Sequence, residues 1–379
     1  MDFVKATQAY KQALAYISKT EQPELWAATV LNIGQSFADL GVRSKPSPEE
    51  KILKSAEEAA MKALEIFKRE KYPDKWAEAQ TVLGETRVYL GVRALKAEEA
   101  HKHLQDGITG LQSALQVVTR EKQPNYWSKI QNSLGLGLSE QGFRKSGEES
   151  NRLILDSITA YRNALDVRTY KSTAAEWAQT QNNLATTFYF LKDWPKVAEC
   201  NSNVLRVFPD SETAYKDASD LYQKVLFNFD KAFKLNRQWV ARHPNDLFEK
   251  IKLVEKYLTT GRFAECQEQI NTYKQSQDYS ALVYCVLDVL DVSNQLALSQ
   301  TSRIPTILDE LIARLRLQPD EFKIGFNMDG IKTFVSQNEK LAPHRAWLGQ
   351  FYTAVEQPNR DAIINLMEKV KDNFSAGSN

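Results

Sequence analysis

The sequence predicts an all-α protein: an α-solenoid of stacked antiparallel helix pairs closed by a C-terminal helical cap. Two observations predict it. A self-similarity with a period near fifty residues runs through the first two hundred positions, and within each unit apolar and small residues recur at helical rather than strand spacing. Composition agrees. The 379 residues carry 49 Lys plus Arg against 48 Asp plus Glu, and 42% are hydrophobic, as suits a soluble folded chain.

Four tryptophans set the period. Trp26, Trp76, Trp127 and Trp177 stand 50, 51 and 50 residues apart, opening the stretches WAATVLNIG, WAEAQTVLG, WSKIQNSLG and WAQTQNNLA. Eight residues after each comes a small residue, Gly34, Gly84, Gly135 or Ala185, and the first three stretches run on to LGVR, LGVR and QGFR. That spacing marks a first helix. A mid-helix Gly costs about 1 kcal/mol relative to Ala, so its recurrence implies a crossing too close for a side chain. Pro23, Pro73 and Pro124, each three residues before a Trp, suit the first turn of that helix, whereas the fourth unit has KSTAAEW instead.

Twelve residues before each Trp stands a leucine, Leu14, Leu64, Leu115 or Leu165, each preceded by alanine. The sets Ala6, Tyr10, Ala13; Ala56, Ala60, Ala63; Gly107, Leu111, Ala114; and Ser157, Tyr161, Ala164 recur at four and three residues. They form the apolar stripe of a second helix. The chain opens in such a helix, AYKQALAY, as though cut from something longer or capped by a half repeat.

These residues resemble the tetratricopeptide repeat, with a small residue after leucine in the first helix and alanine, aromatic, alanine in the second. The unit is longer than the usual 34 residues because of links such as SKPSPEEK at 44–51, and is similar to the WAxxQxNLG variety found beside caspase-like CHAT protease domains in bacteria. The resemblance spans 1–209. Residues 210–278 read as two units nearer ordinary length, 211–242 and 245–278, with Leu253, Tyr257, Gly261 and Phe263 fitting the pattern. From 279 to 379 the repeat fades into a helical region or cap: YSALVYCVLDVLDVSNQLAL, IPTILDELIARL, a break at FKIGFNMDG, then helices around Trp347 and Ile364. Asp288, Asp291 and Asn294 interrupt the run at 279–298, so it reads as a buried helix rather than a membrane span.

Chemistry is sparse. Charge divides evenly, 27 basic and 25 acidic residues through Cys200, then 22 and 23, without the excess of a nucleic-acid binder. Cys200, Cys266 and Cys285 lack CxxC spacing and suit a reducing compartment as buried apolar groups; no secretory signal is visible, so the expected location is cytoplasmic. GLGLSEQG at 135–142 imitates a phosphate loop but sits within a predicted helix. His101 and His103 point to different helix faces. Arg43, Arg93 and Arg144 read as cations complementing helix C-termini. No catalytic constellation, metal site or cofactor is expected.

The resemblance implies a concave face lined by first helices that binds a protein or peptide segment. Carried over residue by residue, its inner positions place Gln35, Glu85, Lys129, Asn132, Gln179, Asn182, Thr186 and Tyr189 as partner-binding candidates. Asn132 and Asn182 occupy equivalent positions where an amide can hydrogen-bond a peptide backbone; alternatively they bond neighbouring helices, and Tyr189 with Phe190 serve as core or cap contacts. A carboxylate clamp needs several basic residues at these positions, and only Lys129 qualifies. The expected function is a non-enzymatic interaction scaffold; the alternatives are a regulatory module of a larger effector system such as a CHAT-type protease and, last, an enzyme with a site near FKIGFNMDG.

Overall fold

The structure, a computed structural model, describes residues 3–43, 49–276, 279–356 and 360–375, which contain eighteen α-helices and no strand. They fall into two compact units, Met1–Asp193 and Trp194–Asn379. The link at 44–48 and the side chain of Arg43, both singled out above, lie outside what is described.

The first unit holds α1 (Phe3–Leu14), α2 (Pro23–Arg43), α3 (Glu49–Ile66), α4 (Pro73–Arg93), α5 (Ala97–Leu115), α6 (Pro124–Phe143), α7 (Gly147–Leu165) and α8 (Ala174–Phe190). The first three Trp helices, α2, α4 and α6, each pair with the next helix in antiparallel register. Gly34 faces Ala59 while Gly41 faces Leu53, and Gly84 faces Leu111 while Gly91 faces Leu104. The small residue is demanded by packing: a Cβ at Gly84 would stand 2.8 Å from Leu111 Cγ and 3.0 Å from the Gly107 carbonyl oxygen, and one at Gly135 would stand 2.7 Å from the Tyr161 ring. Gly34 is looser, its nearest neighbour being Ala59 Cβ at 3.1 Å. The α4 and α6 starts have proline in the first turn, as the spacing predicts.

The four indoles share one environment. All are half-buried, and each backbone N–H donates to the carbonyl four residues earlier at 2.8 to 2.9 Å. Seven residues before each stands a side chain that covers it: Lys19 Nζ lies 4.8 Å from the Trp26 ring, Arg69 5.1 Å from Trp76 and Arg120 5.8 Å from Trp127, whereas Tyr170 meets Trp177 edge-on at 5.6 Å. The repeating arginines act across repeats. Arg93 Nη1 donates to the Gly41 carbonyl at 2.9 Å and Arg144 Nη2 to the Val92 carbonyl at 3.3 Å, so each serves the C-terminal carbonyls of the preceding Trp helix.

The second unit holds α9 (Trp194–Val207), α10 (Glu212–Asp220), α11 (Phe229–Arg242), α12 (Leu247–Thr259), α13 (Phe263–Lys274), α14 (Ala281–Ala297), α15 (Ile304–Arg316), α16 (Asp329–Gln337), α17 (Arg345–Glu356) and α18 (Arg360–Ser375). The stretch Leu221–Val225 continues α10 as a π-helix. With 14 residues, α9 is shorter than α5 and α7 with 19 each. One core spans α12 to α18, so Cys266 and Ile270 before position 278 pack with Cys285 and Leu287 after it.

The apolar run at 279–298 becomes α14, buried from Cys285 through Ala297. Its charges are paired: Lys274 Nζ lies 2.8 Å from Asp288 and 2.7 Å from Asp291, and Arg314 reaches Asp288 at 2.5 Å. Burial opposes the Lys274 charge, but the two aspartates outweigh it and hold its pKa above the usual lysine value. Among the described residues no helix is long and apolar enough to cross a membrane. FKIGFNMDG has no regular structure before α16: Gly325 takes a positive φ of 60°, and Ile324, Phe326 and Met328 are buried in alternation before Asp329 opens the helix.

Candidate functional site

The eight candidates divide into a group bonded within the stack and an exposed stripe. Gln35, Glu85 and Lys129 come from three different Trp helices and meet one another. Lys129 Nζ of α6 lies 2.9 Å from Glu85 Oε2 of α4 and donates to Gln35 Oε1 of α2 at 3.2 Å. Glu85, buried, also accepts from Ser133 Oγ at 2.8 Å, and Gln35 Nε2 donates to Asp39 at 3.0 Å. The inner positions of α2, α4 and α6 are therefore bonded to one another. Tyr89, one turn on from Glu85, has its hydroxyl pushed up to about 12, chiefly by burial and then by the Glu85 charge.

Asn132 is 5% exposed, and its amide oxygen accepts from Thr180 Oγ1 at 3.0 Å and from Asn183 Nδ2 at 3.2 Å. It stitches α6 to α8. Thr180 accepts in turn from Arg168 Nη1 at 3.0 Å, and its hydroxyl has a second acceptor in the Glu176 carbonyl at 2.9 Å. Asn182 lies at the same register as Asn132 but is exposed, and its amide has no hydrogen-bond partner among the described residues. With Gln179, Thr186 and Tyr189 it forms an exposed stripe along α8 at spacings of three, four and three residues, one helix face. Phe190 at its end packs against Phe143 with ring centroids 4.8 Å apart.

Arg168, Thr180 and Asn183 escaped sequence reasoning, although a column comparison holds the signal. Arg168 stands where earlier repeats have Ile17, Phe67 and Val118, and Thr180 where the third repeat has Ile130. A polar layer has replaced an apolar one between α6 and α8.

The remaining candidates for chemistry fall into structural places. GLGLSEQG lies within α6, where phosphate-cradling backbone N–H groups are already used by the helix. The three cysteines are buried; burial and then the nearby Asp288 push the Cys285 thiol up to about 12, far from a reactive thiolate. Among the described residues no group of three or more His, Cys, Asp or Glu side chains is placed to hold a metal ion.

No protein-family model and no curated protein matches this chain. Similar solved structures include a tetratricopeptide repeat protein from Parabacteroides merdae, 16% identical over 82% of this chain and 97% of that one, with a TM-score of 0.36. The tetratricopeptide domain of P58(IPK) is 14% identical over the whole of both chains, with a TM-score of 0.23. What establishes the all-α architecture is the chain's own paired helices and their repeated Trp and Gly environments.

Proposed function

We propose that the protein is a non-catalytic interaction scaffold whose first unit binds an extended segment of a protein partner along α8. The observation that carries this reading is the contrast between equivalent positions of α6 and α8: Lys129 and Asn132 are spent on bonds within the stack, whereas Gln179 and Asn182, at the same registers, present amides with no hydrogen-bond partner among the described residues. An exposed amide supplies both donor and acceptor to a peptide backbone whatever its sequence, and the adjoining Tyr189 adds apolar contact with a polar tip.

A photo-crosslinking residue at Gln179 or Thr186, compared with one at the exposed Leu155 on α7, tests it. The α8 positions are expected to capture a defined partner in the source cell and the α7 position to capture none. Equal yields at all three positions would refute α8 as the docking helix.

A further inference from the structure

Arg168 is a buried cation without a counter-ion. It is 6% exposed, and its Nη1 donates to Thr180 Oγ1 at 3.0 Å and to the Glu176 carbonyl at 3.4 Å. Its Nε and Nη2 donate to no acceptor among the described residues, and no described carboxylate lies within ion-pair distance. The acids that act on it do so from farther off: Glu176 is exposed to solvent, and Glu85 is committed to Lys129 and Ser133. A guanidinium does not shed its proton, and neither Nε nor Nη2 is among the fully buried atoms left without a partner, so that edge of the group reaches solvent and is open to an anion.

The seam that holds it is thin. α7 packs on α8 more thinly than α3 on α4 or α5 on α6. The layer around Arg168 is polar, formed by Asn132, Thr180 and Asn183, where the other repeats seal the same level with Phe67 or Val118. The guanidinium edge left over, Nε with Nη2, is the one whose two parallel N–H groups match the two oxygens of a carboxylate.

We propose that Arg168 is a receptor for the carboxylate of an Asp or Glu side chain in the segment that docks along α8. This rests on the reading of α8 as the docking helix and adds a specificity to it: amides on the exposed face hold the backbone, and the buried fork reads one acidic residue. Thr180 and the Glu176 carbonyl fix the guanidinium through Nη1 and so keep its other edge oriented.

The test uses the full chain, nitrogen-15 labelled at arginine, with glutarate as probe. One Nε–H resonance, identified by its loss in Arg168→Gln, is expected to shift saturably with sodium glutarate and to stay unmoved by sodium chloride at equal ionic strength. An unmoved resonance, or an equal response to chloride, would overturn the proposal; an equal response to inorganic phosphate would overturn the choice of carboxylate. With a crosslinked partner in hand, Arg168→Gln and Arg168→Val, the latter patterned on Val118, should each weaken its binding about tenfold or more, as befits a lost bidentate charge-assisted bond. Partner binding unchanged in both variants would overturn the receptor and leave the α8 reading standing. A glutarate response without α8 capture would support the receptor and sink that reading instead.

Discussion

Asn132 and Asn182 sit one repeat apart at the same register, and their neighbours give them opposite roles. Asn132→Ala leaves Asn183 without an acceptor and deprives Thr180 of one, so a stability loss of about 1 to 3 kcal/mol is expected in urea unfolding. Asn182→Ala, at an exposed position, should stay within about 0.5 kcal/mol of the parent. Equal losses would contradict the assignment of one to the stack and the other to the surface. A buried carboxyl in the second unit offers a different check. Burial, opposed by the Lys256 charge, raises the Glu255 pKa above its ordinary 4.5, while Gln223 Nε2 donates to it at 2.9 Å. The folded chain therefore keeps a proton there that the unfolded chain releases. This contribution to stability is complete below pH 4.5 and is lost as pH rises through the raised value. Glu255→Gln stays neutral throughout, so its melting temperature relative to the parent should climb from acid to neutral pH; a flat difference would refute the shift.

Among the helices, packing at the small residue sorts the pairs. Gly84→Ala should destabilise by about 1 to 3 kcal/mol through overpacking against Leu111 and the Gly107 carbonyl, outweighing its gain in helix propensity. Gly34→Ala, where the nearest atoms are the Ala59 methyl at 3.1 Å and the Ala56 carbonyl oxygen at 3.3 Å, should be within about 1 kcal/mol of neutral. Thermal or urea unfolding of the two variants checks this, and equal behaviour would deny that the crossings differ. The seam at α8 is weaker because Arg168 stands in an otherwise apolar column and Thr180 where the preceding repeat has Ile130, so Arg168→Val with Thr180→Ile should raise the melting temperature. The helix pairs were legible in the sequence because Trp, Gly and the alanine stripe each answer to a local helical spacing. The cross-repeat bonds were not. That Lys129 reaches Gln35 past α4, or that Asn132 turns inward while Asn182 stays out, depends on how three helices lie together, which no spacing within one helix encodes. The arginine series shows the same limit: helix-end placement was readable, but the carbonyls that Arg93 and Arg144 serve belong to the preceding repeat.

Across the whole molecule, two organisations share one chain. The first unit is built from near-equal modules that each contact their neighbours, so its stability is a sum of module and seam contributions and its weakest seam opens first. The second unit gathers α12 to α18 around one core, with buried charges on α14 neutralised by Lys274 and Arg314, and it should protect its centre more evenly. Native-state hydrogen exchange of the intact chain, read by mass spectrometry, tests the modular account most directly. Protection in the first unit should dip at the connections 67–72, 116–123 and 166–173, about fifty residues apart, with α8 exchanging faster than α4 and α6. Protection without that period, or an α8 as resistant as α6, would contradict the stack of equivalent helix pairs ending at a weak polar seam.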